Sequence, residues 1–294
     1  MLSRNARARK RPSESTTLVP LSPLSRQCLR NLARYEPPPP VRVPRSHRAA
    51  VLIALFVGRM GDLYVLLTQR SLTLTSYAGD TALPGGKADR RDRTPEETAR
   101  REAFEEIGLP KDPRIVPHLC TLEPFLAGNN IIVTPVVVLI TDNALHPVLN
   151  APEVSTLFSH PLLAFLSSST PFPSTESVDA EYHTFRDIDW NGDPAAGRVR
   201  MHRFLTGREG EGIKPVFGLT AAILVRAAEI GYGRPPEFEV MAPGQKTIRE
   251  RIAWALRHVP RLREGAEKEG ITWHLPEEER EARGRKHKRE RSKL

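Results

Sequence analysis

Residues Gly85 to Leu109 read GGKADRRDRTPEETARREAFEEIGL. A loop of Gly, Asp and Arg runs into a helix predicted over Thr94–Ile107. Thr94 or Asp92 caps it, and Pro95 suits the first position, where an N–H would find no helical partner. Glu96 and Glu97 meet the positive end of the helix dipole, and Gly108 ends the run. At about 100° per residue, with Glu102 placed at zero, Glu106 falls near 40° and Glu105 near −60°. Ala103, Ile107 and Phe104 fall near 100°, 140° and 200° by the same rule. Three carboxylates therefore share one face, and the apolar residues take the other.

A solvated acidic face is the ordinary meaning of such a pattern. Two features oppose it here. Like charges three and four residues apart cost about 0.2–0.5 kcal/mol each. They also crowd the last turns, where the dipole disfavours anions. A divalent cation removes both penalties, and hard oxygen ligands suit Mg²⁺ or Mn²⁺ rather than zinc.

Outward from this segment, the upstream chain predicts a hairpin. Val51–Val57 and Leu63–Gln69 are strands around the turn GRMGD, and Ser71–Asp92 is irregular. Downstream, strands fit Ile115–Leu122 and Ile131–Ile140, with Pro135 marking the latter as an edge or a bulge. Residues 151–166 read as a strand and a short helix, and 166–200 as a loop or small hairpin. The run VFGLTAAILVRAAEIGY (216–232) predicts a strand leading into a buried helix from Leu219. TIRERIAWALRH (247–258) is the last predicted helix, and from Pro260 the apolar period is lost. Strands interleaved with a few helices give an α/β or α+β class with one core from about 46 to 232. The expected divisions are a disordered basic and Pro-rich extension over 1–46, a main domain over 47–235, a helical segment over 236–276 and a basic tail over 277–294. A short helix at Ser25–Tyr35 is allowed within the extension.

The chain has 294 residues and a formal charge of +9. The charge sits at the ends. Residues 1–12 carry +5 and residues 280–294 carry +6, so the 267 residues between carry −2. Basic tails of this kind are solvated, and no nucleic-acid-binding signature accompanies them, so nucleic acid is not an expected partner. The longest clearly apolar run, Ala49–Val57, is far short of the roughly 20 residues of a membrane span. No apolar stretch follows the N-terminus, which argues against a secretory signal. Two cysteines, Cys28 and Cys120, make neither a disulfide framework nor a four-cysteine zinc site and fit a reducing compartment.

Gly86, Asp92 and the run REAFEEIGL (101–109) resemble the signature of the Nudix hydrolases. That signature reads Gly, five residues, Glu, seven residues, then Arg-Glu-aliphatic-x-Glu-Glu-x-Gly-aliphatic. Here Asp92 replaces a Glu and one extra residue precedes Arg101. The resemblance implies an α/β/α sandwich with a mixed β-sheet, and hydrolysis of a nucleoside diphosphate linked to another group. It implies Glu102, Glu105 and Glu106 as ligands of Mg²⁺ or Mn²⁺, with one of the three, Glu102 first among them, also the general base, and it places Glu102, Glu105 and Arg101 in the catalytic machinery. It implies a Gly85–Gly86 loop whose Gly86 carbonyl completes the metal shell, and an Arg101 that holds Asp92 or Glu105.

Leu66, Leu67, Thr68, Arg70, Ser71, Gly79, Pro84, Gly85 and Gly86 resemble the coenzyme A diphosphatase subfamily. RMHRF (200–204) and FGLTA (217–221) resemble its later landmarks. Thr75 stands where that subfamily has a basic residue, and Leu83 where it has Phe. The implied substrate-binding residues are Arg70, Ser71 and Gly85, and the implied substrate is coenzyme A or a derivative. The alternatives are a housekeeping pyrophosphatase for oxidised nucleotides, NADH or capped RNA, and a non-catalytic binding module. The terminal Ser292-Lys293-Leu294 reads as a peroxisomal address for an import receptor. The rival address is mitochondrial, from the Arg-rich, acid-free residues 2–11.

Overall fold

The computed structural model describes residues 20–39, 41–142, 145–171, 181–206 and 214–271. The helix α1 (Pro23–Arg34) precedes strands β1 (Arg48–Val57), β2 (Leu63–Arg70), β3 (Thr81–Ala82) and β4 (Gly85–Lys87). Then come α2 (Pro95–Ile107), β5 (His118–Thr121), β6 (Phe125–Leu126), β7 (Ile132–Leu139) and β8 (Val154–Pro161). A short 3₁₀ turn, Leu162–Leu166, leads on to β9 (His183–Asp189), β10 (Arg198–Thr206) and β11 (Lys214–Phe217). The helices α3 (Gly218–Tyr232), α4 (Ile248–His258) and α5 (Pro260–Lys268) follow.

β1 is apolar along most of its length because both of its faces are covered. Ala50, Leu52 and Ala54 pack on Ala99, Ala103 and Ile107 of α2. Ile53 and Leu55 point the other way, into the cluster that holds Leu224 and Ala228 of α3 and Cys28 and Leu32 of α1. This alternation produces the three layers of an α/β/α sandwich. The sheet runs β3-β2-β1-β7-β5, with β4 also on β1, β6 on β7 and β8 on β2. It is mixed, since β1 and β7 are parallel while β1 pairs antiparallel with β2 and β4. A second sheet, β11-β10-β9, is antiparallel. Among the described residues, no helix is long and apolar enough to cross a membrane.

α2 forms as its ends dictate. The Thr94 hydroxyl accepts from the Glu97 N–H at 3.1 Å, and Gly108 closes the helix at φ 67°. Asp92, the other candidate cap, instead accepts from the Asp89 N–H and the Thr98 hydroxyl.

Four expectations need correction. Pro135 marks neither an edge nor a bulge of its own strand, because β7 lies between β1 and β5 and the irregularity is on β5. The Pro135 carbonyl accepts from the Leu122 N–H. Its missing N–H faces the same side, where the neighbouring strand stops at Thr121 and resumes at Phe125. The irregular Ser71–Asp92 stretch contains β3 and β4, two pairings too short to leave a pattern. The 1–46 stretch is not wholly an extension, since α1 buries Cys28 and Leu32 against α3. Finally, α5 continues the helical segment past Pro260 by burying only Leu262 and Ala266, one turn apart. The basic tail and Ser292-Lys293-Leu294 lie outside the described residues, as do residues 1–19.

Between β9 and β10 lies a buried histidine pair. The His183 Nε2 and His202 Nδ1 are 3.0 Å apart, and the His202 Nε2 is 2.9 Å from the Val240 carbonyl oxygen. His183 also stacks on Phe238, with ring centroids 3.8 Å apart. Burial pushes the His183 pKa down to about 4, and His202 is lowered for the same reason.

Candidate active site

α2 carries its three glutamates toward the Gly85–Gly86 strand, which β1 pins by pairing Ala50 with Gly86 and Val51 with Gly85. The pairing brings the glycine backbone against the helix. A Cβ placed on Gly86 would lie 2.6 Å from the Glu102 carboxyl carbon. Only a residue without a side chain leaves room for that carboxylate. The Gly85 N–H donates to the Glu106 Oε2 at 3.1 Å.

The three carboxylates differ in setting. Glu106 is 7% exposed, Glu102 is half-buried and Glu105 is open to solvent. Burial pushes the Glu106 pKa up to about 7, the charge of Glu102 and of Glu153 pushes the same way, and the Gly85 N–H and Arg70 oppose. Burial also raises Glu102, with Glu105 and Glu153 adding to it and Arg101 opposing.

Arg101 is the hub. Its Nη1 donates to Glu102 Oε1 at 2.9 Å and to Glu105 Oε2 at 3.1 Å. Its Nη2 donates to Asp92 Oδ2 at 2.9 Å and to the Lys87 carbonyl at 3.0 Å. The sequence left Asp92 and Glu105 as alternatives for Arg101; the structure gives it both, and Glu102 besides. Hydrogen bonding from Arg101 holds the Asp92 carboxyl below its ordinary range. Asp92 thus meets the guanidinium rather than the other carboxylates.

The upstream residues divide. The Nε of Arg70 is buried without a hydrogen-bond partner, and its charge reaches Glu106. Ser71 is turned away from this role: its hydroxyl meets Thr73 at 2.8 Å, and its N–H donates to the Glu153 carbonyl. Leu83 is 4% exposed and belongs to the core, which accounts for an aliphatic residue there.

Glu153 is the residue that sequence reasoning missed. It sits in a turn hung on the end of α2, where the Asn150 N–H donates to the Glu106 carbonyl and the Glu153 N–H to the Asn150 carbonyl. A lone Glu some 45 residues past the helix carries no local pattern, so only the fold could reveal it.

The donor chemistry fits a hard divalent cation. All the candidate ligands are oxygens, and Glu102 and Glu106 are raised chiefly because burial draws them out of water. Among the described residues, no three His, Cys, Asp or Glu already stand as a metal-holding group. Arg101 holds Glu102 and Glu105, and Gly85 holds Glu106, so the side chains would turn to take a cation.

Residues 46–205 match the family model described as NUDIX domain. The chain is 35% identical over 268 residues to "Nudix hydrolase 22, chloroplastic" of Arabidopsis thaliana, covering 90% of this chain and 82% of that protein. It is 41% identical over 200 residues to "Nudix hydrolase 15, mitochondrial" of the same plant, covering 68% and 64%. It is 35% identical over 202 residues to "Peroxisomal coenzyme A diphosphatase 1, peroxisomal" of Saccharomyces cerevisiae, covering 57% and 59%.

Proposed function

The chain belongs to the Nudix family and is a hydrolase of that family; from this premise we propose that its substrate is coenzyme A or a CoA derivative. The products would be adenosine 3′,5′-bisphosphate and 4′-phosphopantetheine or its acyl form. The observation that carries this reading is Arg70, whose buried Nε lacks a partner beside the carboxylates of α2. A guanidinium with a donor so placed has hydrogen-bonding capacity left for an anionic substrate. The similarity to a relative named as a coenzyme A diphosphatase supports it.

Glu102, Glu105, Glu106 and the Gly86 carbonyl would hold Mg²⁺ or Mn²⁺, which when bound neutralises the diphosphate and lowers the pKa of a water. Glu102, the first of the three glutamates for that role, would take the proton of the attacking water as general base. Arg101 sets the orientation of Glu102 and Glu105 through its bonds to Asp92 and the Lys87 carbonyl. Gly85 does the same for Glu106 through its N–H. Arg70 and the Gly85–Gly86 backbone receive the diphosphate; Ser71 contributes through the turn it shares with Glu153 rather than by direct contact.

The test is a product profile with Mg²⁺ and with Mn²⁺ across CoA, acyl-CoA, oxidised nucleotides, NADH and capped RNA. A kcat/KM highest for CoA or acyl-CoA supports the reading. A preference for any other member replaces it with the housekeeping alternative, and no turnover with binding leaves the non-catalytic module.

For address, we propose import through Ser292-Lys293-Leu294 by a peroxisomal receptor. Deletion of Leu294 should move an N-terminally tagged protein from peroxisomal puncta to the cytosol at unchanged kcat/KM. Mitochondrial staining of the intact protein would instead assign the address to the Arg-rich residues 2–11.

A further inference from the structure

We propose that a cavity at the N-terminal end of α2, apart from the glutamates, is a second ligand site for a single-chain aliphatic anion. The cavity encloses about 980 Å³, at the upper end of what small-molecule sites occupy. It lies between the 41–48 segment, the loop leading into α2 and the β5–β6 turn. Thr94, Pro95 and Thr98 place it on the first turns of α2, whereas Glu102, Glu105 and Glu106 occupy the last.

Its walls state the ligand's chemistry. Val43, Ala50, Leu122 and Ile132 make an aliphatic floor, and no aromatic ring lines it. A nucleobase would find nothing to stack on, while a methylene chain finds matching surface. The rim is cationic, with Arg42, Arg45, Arg90 and Arg93 all exposed. Among the described residues, none of these four makes an ion pair with a carboxylate.

Of the four acids that line the same cavity, two are ion-paired, and the other two keep their charge against the four arginines. Asp92 is held by Arg101, and Glu123 by Arg226 at 2.7 Å and by the Tyr35 hydroxyl. Glu269 accepts from the backbone N–H of Arg45 at 2.7 Å, and Asp89 from that of Arg91 at 2.9 Å. Positive charge around an apolar floor is therefore left for an anionic head, and the first turn of α2 adds its dipole to that sign. Asp92 borders the cavity and grips Arg101, so an occupant would sit one ion pair away from Glu102 and Glu105.

The experiment is isothermal titration of the full chain with decanoate and with decyl phosphate, each as monomer, with decanol and AMP as comparisons. Decanoate and decyl phosphate distinguish a carboxylate from a phosphate head. The expected result is one site per chain, with at least one anion bound more tightly than decanol and AMP. Binding should be roughly tenfold weaker in the double variant Arg42→Glu/Arg93→Glu, which replaces two exposed residues, and unchanged in Glu102→Gln. Equal binding by the double variant, decanol equal to both anions, tighter binding of AMP, or any change of binding in Glu102→Gln would each overturn the proposal. The last would place the anion in the glutamate site, and the hydrolytic reading would be judged separately by its product profile.

Discussion

The histidine pair between β9 and β10 and the glutamates of α2 are both ionisable groups drawn out of water, and they end in opposite conditions. Burial favours the neutral form in each case, lowering His183 to about 4 and raising Glu106 to about 7. The histidines then close on themselves. Each ring has a nitrogen partner or a carbonyl, and Phe238 covers His183. The glutamates do not close. Glu102 and Glu153 add negative charge to Glu106, and Arg101 is already divided among three carboxylates and a carbonyl. Burial alone therefore does not distinguish the two regions; the neighbouring carboxylates do, and it is among them that a cation would be received.

Four experiments would break or sharpen that contrast. The largest effect is expected from Glu102→Gln and Glu106→Gln. Each should lower kcat on the order of 10²-fold or more, about 3 kcal/mol or more of lost transition-state stabilisation. The melting temperature in EDTA should hold or rise, because a repelled buried charge is gone. Full activity in Glu106→Gln would remove that residue from the machinery.

Next come the paired glycines, which separate site from scaffold. Gly86→Ala pushes only on the flexible end of Glu102, so the fold should stand while kcat falls about 10²-fold through misplacement. Gly85→Ala brings a Cβ to 2.6 Å from the Cα of Val51, which cannot move aside. That variant should lose about 1–3 kcal/mol in urea unfolding. The reverse outcome, an unstable Gly86→Ala and a stable Gly85→Ala, would contradict the β1–β4 packing.

Arg70→Ala should raise KM for CoA roughly tenfold and alter kcat little, since a charge contact made equally in ground and transition states changes binding more than chemistry. Equal losses on every substrate would mark Arg70 as structural.

The smallest effect is at the histidines. A histidine whose pKa is lowered on folding contributes stability that is present above its unfolded value near 6.5 and lost as pH falls toward about 4. Melting followed from pH 7 to pH 4 should show wild-type stability declining through this window. His183→Phe should flatten the decline by on the order of 1 kcal/mol and leave kcat/KM at pH 7 unchanged. A profile of the same slope in both proteins would show that the pair is not what acid attacks.

Much of the first region was legible because its causes are local. The cap, the first-turn Pro95 and the terminating Gly108 all lie within one helix, and α2 obeys each of them. The β1–β2 hairpin was legible for the same reason. The 100° arithmetic holds only in part, since Glu106 is buried beside Ala103 and Ile107 while Phe104, expected on the apolar face, is 51% exposed. What was not legible depends on partners far away in the chain. Glu153 joins the glutamates only through the turn that Asn150 hangs on α2. The engagement of Ser71 with Thr73 and the Glu153 carbonyl was hidden in the same way. α1 looked detachable beside its prolines, yet Cys28 and Leu32 are core residues because α3 lies over them. Pro135 looked like an edge because a sequence cannot show that its neighbouring strand has a break at that height.

β1 pairs with three strands that reach it from very different distances along the chain. Its turn to β2 joins Val57 to Leu63, its pairing with β4 joins Ala49 to Lys87, and its parallel pairing with β7 joins Arg48 to Ile132. Loop closure grows costlier with separation, so the hairpin should form early and the β7 contact late in folding. α2 rests on Val136 and Val138 of that late strand as well as on β1. Pulse-labelling hydrogen exchange during refolding should find the β1–β2 amides protected before those of β7; the opposite order would refute this sequence of events. A chain halted before β7 docks would then have every glutamate of its signature and no firm surface to hold them against the glycines, so hydrolytic competence should be gained only in the closing steps of folding.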